Sequence, residues 1–412
     1  METISRPSRH VTRECIRAAT TFHKFALLSL FLIFPALFAA APARLLHTNQ
    51  RSRTADFAGN DKCLSCHQDK KGFLETSHQL TSRLPTKASI GGKFSDGENI
   101  LKTSNPDLYY KMESRKDGFY QTAVLGTPPD SVSFSKRFDI VIGSGRKGQT
   151  FLFWSEPDLL FQLPVSFWTE LRKWVYSPGF EDGSIDFGRP ISPRCLECHA
   201  SFFESRADTS TVNRFNKTNY TLGISCEKCH GPGQEHVARQ LSGMAKSSGQ
   251  AIVNLTKLPR ARQVEVCGLC HGGLGIEKVP AFSYVPGEPL ADYIHLKSPE
   301  PNEVIDSHGN QVALLERSRC FQSSTMTCNT CHNVHLTQRN AAAFSDNCLA
   351  CHKIESCGVY LKKGKRIAEN CIDCHMPKLT SNVIVSAYEG KKAQPQVRTH
   401  WIKVYPEIAI PR

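Results

Sequence analysis

The residues of this chain with the clearest chemistry are cysteines and histidines, in a pattern that repeats seven times. Each copy has the form Cys-x-x-Cys-His, and together the copies use 14 of the 17 cysteines. We number the copies in chain order as sites 1 to 7: Cys63/Cys66/His67, Cys195/Cys198/His199, Cys226/Cys229/His230, Cys267/Cys270/His271, Cys328/Cys331/His332, Cys348/Cys351/His352 and Cys371/Cys374/His375. In this pattern the two thiols attach covalently to a c-type haem and the histidine ligates its iron. The sequence therefore predicts seven covalently bound haem c groups.

Zinc ribbons and redox dithiols also contain Cys-x-x-Cys, so the histidine decides between these chemistries. Histidine makes up 16 of the 412 residues, and chance would place it after a given cysteine pair in roughly 4% of cases. It follows all seven pairs. Because zinc sites do not require a histidine at this one offset, haem attachment is the favoured interpretation.

An electron-carrying haem iron usually has a second axial ligand, most often histidine or methionine. After residue 43, seven histidines lie outside the motifs, which equals the number of sites. His236 and His335 follow their own motif histidines so closely that each is expected to ligate a neighbouring haem. The predicted second ligands are His78, His236, His335, His400, His308 and His295, with His47 as a further candidate and Met112, Met244 and Met326 as alternatives.

Three cysteines lie outside the motifs. Cys320 and Cys357 are expected to form a disulfide in an oxidising compartment, and two buried free thiols are the alternative. Cys15 falls in the predicted leader.

Residues 1–43 have the composition of an export signal. Five basic residues between Arg6 and Lys24 precede an uncharged apolar run over residues 25–43, which ends in small residues before Arg44. We expect a signal peptide, or alternatively an uncleaved anchor in the inner membrane formed by residues 25–43. Because this type of haem attachment follows translocation, the protein is expected to be periplasmic or otherwise exported.

The formal charge of +13 does not indicate nucleic-acid binding. Residues 1–43 contribute part of this charge, and the haem propionates would offset much of the rest. We therefore expect no nucleic-acid partner.

Residues 81–190 contain no cysteine and differ in pattern from the rest. Short aromatic and β-branched runs bounded by turn residues predict strands there, with a short helix from Trp168 to Val175. The glycine pattern from Gly143 to Gly148 is followed by a strand-like run, so a hairpin turn is favoured over a nucleotide site.

The predicted fold is a multihaem cytochrome c of mainly short α-helices and loops packed around stacked haems, with a β-rich insert between the first and second motifs. The expected domains are a signal peptide or anchor (1–43), a first haem-binding segment (44–80), a β-rich haem-free insert (81–190) and a six-haem domain (191–412).

Three motif-bearing segments, 223–236, 326–335 and 371–378, resemble bacterial multihaem cytochromes c. That superfamily includes tetrahaem cytochrome c carriers, pentahaem nitrite reductase and octahaem hydroxylamine oxidoreductase. The resemblance covers about residues 60–80 and 190–405 and excludes the insert. It implies haems stacked in parallel and perpendicular pairs, mostly with histidine on both faces of the iron.

Two functions follow from this pattern. The first is a periplasmic electron-transfer protein that passes electrons along a chain of haems to and from redox partners, such as a quinol-oxidase-type donor or a terminal reductase. The alternative is an oxidoreductase that acts on a small nitrogen or sulfur compound at one open-faced haem. The Cys-x-x-Cys-Lys motif of the nitrite-reductase branch is missing from the sequence, which counts against that branch.

Overall fold

Strands dominate the first half of the described chain, and short helices dominate the second. The computed structural model describes residues 56–208, 210–243, 251–300 and 302–409, all of which belong to the compact unit Thr48–Arg412. The predicted leader, Cys15, His47 and Met244 lie outside the described residues. Within those ranges, no helix has both the length and the apolar character needed to span a bilayer.

Residues 82–176 form two antiparallel sheets. One has the strand order β1-β6-β7-β9-β10, with β8 also paired to β7, and the other has the order β2-β3-β4-β5. The strands are β1 (Ser82–Arg83), β2 (Ile100–Lys102), β3 (Leu108–Arg115), β4 (Gly118–Leu125), β5 (Val132–Arg137), β6 (Ile140–Ile142), β7 (Gly148–Ser155), β8 (Leu159–Gln162), β9 (Val165–Trp168) and β10 (Lys173–Tyr176).

Alternating burial explains why these segments pair as strands. In β3, Leu108, Tyr110 and Met112 are buried, and the residues between them are only partly covered. Since side chains alternate across a strand, β3 turns one face to the core. Tyr110 and Met112 share that core with Phe151 and Trp174.

The glycine-rich segment forms a hairpin turn between β6 and β7, so that prediction is confirmed. Gly143 has a φ of 102°, and a Cβ there would lie 2.5 Å from the carbonyl oxygen of Gly148. The tight turn therefore requires glycine at this position.

The predicted helix from Trp168 to Val175 is wrong. This segment contains the ends of β9 and β10, which pair with each other in an antiparallel hairpin. β9 also pairs with β7, and Trp174, Val175 and Tyr176 are buried. Pairing and burial in the sheet outweigh the local helical pattern.

Helices and short sheets follow from residue 193 onward, together with one early helix. The α-helices are α1 (Asn60–Cys66), α2 (Pro193–Glu197), α3 (Cys226–His230), α4 (Gln234–Leu241), α5 (Arg260–His271), α6 (Gln311–Glu316), α7 (Arg319–Gln322), α8 (Ala341–Leu349), α9 (Tyr360–Lys363), α10 (Cys371–His375) and α11 (Pro406–Ala409). The 3₁₀ turns are Gln68–Glu75, Gln79–Thr81, Leu255–Lys257, Leu290–Asp292, Cys328–Thr330, Ile354–Ser356 and Gly364–Glu369.

Four two-stranded sheets complete the described architecture: β11 with β12, β13 with β14, β15 with β18 and β16 with β17. Their strands are β11 (Ala200–Ser205), β12 (Phe215–Leu222), β13 (Ile276–Glu277), β14 (Ile294–His295), β15 (Lys378–Thr380), β16 (Ser386–Tyr388), β17 (Lys391–Ala393) and β18 (Gln396–Arg398).

A shared apolar core joins the six-stranded sheet to the segment around site 2. Ile140 and Leu152 of the sheet belong to the same cluster as Leu196 and Phe202. Leu196 lies between the two cysteines of site 2, so the sheet directly supports this site.

Candidate functional site

One large cavity brings together all seven Cys-x-x-Cys-His motifs. Its volume is about 3180 Å³, and every cysteine and histidine of sites 1 to 7 lines it. The motifs are spread from Cys63 to His375 in the sequence. A common cavity of this size, lined by every motif, is the space that several large planar groups would need.

Short helices position most of the motifs. In a helix, residues three and four positions apart lie on one face, so both cysteines and the histidine of a motif point to the same side. Site 3 occupies all of α3, and site 7 occupies all of α10. Site 4 forms the end of α5, the longest of these helices, whose Val264 and Leu269 are buried.

Several motif histidines are held through Nδ1. His230 Nδ1 lies 2.8 Å from the carbonyl oxygen of Val253, and His375 Nδ1 lies 2.9 Å from that of Lys403. At site 2, His199 Nδ1 lies 3.1 Å from Thr81 Oγ1. An Nδ1–H that donates to such an oxygen leaves Nε2 as the ligating nitrogen and fixes the orientation of the ring.

Four motif histidines face a histidine from another part of the chain. A metal ion bound at about 2 Å to a nitrogen of each ring places the two ring centroids about 6 Å apart. The observed centroid separations are 6.5 Å for His67 and His236, 6.2 Å for His271 and His78, 6.2 Å for His230 and His335, and 6.1 Å for His332 and His400. Each pair therefore fits one histidine on either face of a haem iron.

The two remaining candidate ligands differ in position. His308 lines the cavity, and its electrostatic interaction with His199 contributes to lowering the pKa of His199. His295 lies in β14 opposite Ile276, with an exposed side chain, and is outside the cavity lining. The structure thus brings five of the six predicted second ligands to the motifs, and it leaves His295 apart from them.

Burial keeps several of these imidazoles neutral. Burial, with smaller contributions from neighbouring histidines, lowers the pKa of His78, His199 and His400 to about 4 each. Only the neutral imidazole has a lone pair for a metal ion. These side chains are therefore in their ligating form at neutral pH.

The thiols of different motifs interact with one another, which relates sites that are distant in the sequence. The thiol of Cys226 raises the pKa of Cys63, that of Cys270 lowers the pKa of Cys198, and that of Cys328 raises the pKa of Cys267. These interactions make sites 1 and 3, sites 2 and 4, and sites 4 and 5 adjacent.

The cavity argues against zinc. Within the described ranges, no three histidine, cysteine, aspartate or glutamate side chains converge as a metal cluster, whereas a structural zinc site has four ligands around one ion. The residues present therefore fit haem groups better than bare metal ions.

Cys320 and Cys357 are both free thiols, so the predicted disulfide is wrong for this structure. Both side chains line the cavity instead. In the chain they lie near sites 5 to 7.

Two buried carboxylates inside the motifs were not identified from the sequence. Glu227, within site 3, accepts hydrogen bonds from the backbone N–H groups of Ala58 (2.6 Å), Gly59 (3.0 Å) and Gly233 (2.8 Å). Glu197, within site 2, pairs with Arg194 at 2.6 Å. Haem attachment does not constrain the two middle positions of a motif, so the pattern itself carries no signal for these roles.

Comparison with known families matches part of the chain. Residues 183–231, which contain sites 2 and 3, match the model of the family described as cytochrome c554 and c-prime. No curated protein and no solved structure matches the chain significantly. The matched segment indicates a cytochrome of the c type, a haem-binding electron-transfer protein with covalently attached haem c.

Proposed function

We propose that this chain is an exported electron-transfer protein that carries seven haem c groups, one at each of sites 1 to 7. The observation that carries the proposal is the single cavity lined by all seven motifs, in which four motif histidines face a second histidine. Haem iron supplies the one-electron redox chemistry. The chain supplies the covalent attachment, the axial ligands and an apolar surrounding.

Interactions between the sites support a continuous path. Beyond these three interacting thiol pairs, Cys267 interacts electrostatically with Cys229, which relates site 4 to site 3. Cys348 interacts with both Cys331 and Cys371, which relates site 6 to sites 5 and 7. These interactions support the order 1-3-4-5-6-7, with site 2 joined to site 4.

The paired histidines fit low-spin carriers. A histidine on each face of an iron leaves little room for a substrate and helps to set the potential. His308 lines the same cavity and interacts electrostatically with His199 and His271, and we propose it as the second ligand at site 2. On this basis sites 1 to 5 serve electron transfer alone, with a quinol-oxidase-type donor or a terminal reductase as partner classes.

The proposal is tested by counting haems. We expect the intact mass of the exported protein, and the absorbance of its pyridine haemochrome, to correspond to seven haems per chain. A variant with Cys371→Ser and Cys374→Ser should carry six and keep the other thioether bonds. A purified protein that contains zinc and shows no haem absorbance would refute the proposal. Sequencing of the mature N-terminus distinguishes a cleaved signal from an anchor.

A second candidate function, oxidoreductase chemistry on a small nitrogen or sulfur compound, is favoured by one observation. Four of the five cavity histidines outside the motifs pair with sites 1, 3, 4 and 5, and the fifth, His308, is the proposed ligand at site 2. Among the described residues, none of the histidines faces His352 of site 6 or His375 of site 7 as a ring pair. A haem iron at either site would then have its second axial position free for a substrate.

Carbon monoxide binding to the reduced protein separates the two functions. If site 6 or site 7 is open, the wild-type protein binds at least one carbon monoxide per chain. His400→Ala should add one further binding site at site 5, and His295→Ala should add none. A wild-type protein that binds no carbon monoxide is a carrier alone.

A further inference from the structure

A short surface segment lies between sites 6 and 7. It comprises residues 360–366, which contain α9 and the start of the 3₁₀ turn Gly364–Glu369. Val359 before it and Ile367 after it line the haem cavity, whereas residues 360–366 do not. This segment therefore belongs to the outer surface and not to the cavity wall.

The segment is basic and contains one strongly exposed apolar side chain. Lys362, Lys363, Lys365 and Arg366 are all exposed. Among the described residues, none of these four side chains forms an ion pair. Leu361, next to them, is 96% exposed. Four unpaired cations that follow one exposed leucine in the chain form a surface that attracts anionic groups.

Both ends of the segment are tied to the motif-bearing chain. The backbone N–H of Tyr360 donates to the carbonyl oxygen of Cys357 at 2.8 Å. On the other side, the Sγ of Cys371 lies 3.9 Å from the carbonyl oxygen of Ala368, and the N–H of Cys371 donates to Ser345 Oγ of α8 at 2.9 Å. Since α8 carries Cys348, the segment is fixed beside both site 6 and site 7.

We propose that residues 360–366 form the docking surface for an acidic redox protein, which exchanges electrons with the haems at sites 6 and 7. This inference rests on the proposed electron-transfer function. In the exchange, a reduced flavin or iron–sulfur centre of the partner loses one electron, and one ferric haem iron becomes ferrous. No atom is transferred between the proteins.

An acidic protein fits this surface better than an anionic membrane does. Membrane-surface helices bury a broad apolar face, and this segment offers the single leucine side chain of Leu361. Transient redox complexes, in contrast, have small interfaces. They use complementary charge to speed encounter and to fix orientation.

The test compares two charge-reversal variants that lose equal charge. One is Lys362→Glu/Lys363→Glu/Lys365→Glu. The control is Lys87→Glu/Lys102→Glu/Lys116→Glu, whose side chains are exposed and lie outside the cavity lining. Reduced flavodoxin, a small acidic flavoprotein, serves as the electron donor in stopped-flow measurements. Binding of oxidised flavodoxin is measured separately by calorimetry.

At about 0.01 M ionic strength, where the Debye length is about 30 Å, charge steering is strongest. We expect reduced flavodoxin to reduce the first variant at least about tenfold more slowly than wild type, and oxidised flavodoxin to bind this variant more weakly. The control should stay within about twofold of wild type, and added salt should remove the difference.

Reduction by dithionite, which needs no protein docking, shows separately that the haems are present and active. If dithionite fails to reduce wild type, the electron-transfer function itself is refuted. If dithionite reduces all three proteins and flavodoxin reduces both variants equally slowly, the docking surface is refuted. Binding of phosphatidylserine vesicles through Lys362, Lys363 and Lys365, with flavodoxin rates unaffected, would also overturn the proposal and assign the segment to membranes.

Discussion

The imidazole rings of His67 and His236 lie 6.5 Å apart with an angle of 21° between their planes. His67 belongs to site 1, and His236 follows site 3 in α4. The same arrangement, in which a histidine that follows one motif faces the histidine of another, recurs at site 3. His335 follows site 5 but faces His230 of site 3. The histidine pairs thus connect segments that are distant in sequence. A haem held by such a pair would join two parts of the chain as well as carry an electron.

His236→Ala should convert one haem from low spin to high spin without loss of covalent attachment. The alanine removes the ring that faces His67, while both thiols of site 1 remain. Electron paramagnetic resonance of the oxidised protein should show a new high-spin signal of one haem per chain, with unchanged intact mass. His295→Ala, outside the cavity, is the matched control and should leave the spectrum unchanged. An unaltered spectrum in His236→Ala would exclude this residue as a ligand.

Gly223→Ala should displace His78 from site 4. Gly223 has a φ of 69°, and a Cβ there would lie 2.2 Å from the carbonyl oxygen of Gln79. The next residue, Ile224, donates its N–H to the carbonyl oxygen of His78 at 3.0 Å. We expect a loss on the order of 3 kcal/mol in the free energy of unfolding, together with a high-spin signal, because the clash pushes away the segment that carries His78.

Gly390→Ala separates this clash from backbone strain. Gly390 has a similar φ of 70°, but a Cβ there would meet no atom within 4 Å. The control should lose only about 1–2 kcal/mol, the cost of a left-handed alanine, and its spectrum should match wild type. If both variants lose the same free energy of unfolding in guanidinium, the carbonyl of Gln79 has moved away from the added methyl group.

The motifs were predictable because covalent attachment fixes both the residue types and their spacing. The partners of the motif histidines were less predictable, since no spacing relates His400 to His332 or His78 to His271. Those pairs arise from the path of the chain through the cavity. Sequence alone therefore identifies which histidines are available, and the fold decides which of them meet.

The prediction of secondary structure failed where tertiary contacts dominate. The segment from Trp168 to Val175 has a locally helical pattern but forms two strands, because Trp168 pairs with Gly148 of β7. The hairpin at Gly143 was predictable because the glycine positions and the strand-like residues after them agree. Local signals succeed where they are consistent with the sheet.

Glu227→Gln should weaken the link between the residues before α1 and site 3. The carboxylate accepts three backbone N–H groups, from Ala58, Gly59 and Gly233, and Glu227 is 3% exposed. A glutamine keeps one acceptor oxygen and turns an NH₂ group toward the remaining donors. We expect a loss of about 1–3 kcal/mol in the free energy of unfolding by guanidinium. Glu369→Gln, on the exposed surface, should cost almost nothing, and equal losses in the two variants would argue against this role.

The buried ion pair between Arg194 and Glu197 should prove strongly coupled. Their side chains are 9% and 5% exposed and lie 2.6 Å apart. Arg194 also donates to the carbonyl oxygen of Leu269 in site 4 at 2.8 Å, so the pair holds sites 2 and 4 together. Glu197→Met leaves a buried guanidinium without its counter-charge and should cost about 3–5 kcal/mol in the free energy of unfolding.

Adding Arg194→Met to Glu197→Met should recover part of that loss, because no unpaired charge then remains buried. A double-mutant cycle with both single variants should give a coupling energy of about 1–3 kcal/mol. Haem content, measured alongside, should stay constant, since neither residue is an attachment cysteine or an axial ligand. If the two losses of unfolding free energy are additive, each residue stabilises the fold only through its hydrogen bond to a backbone group. Arg194 donates to the carbonyl oxygen of Leu269, and Glu197 accepts from the N–H of Phe282.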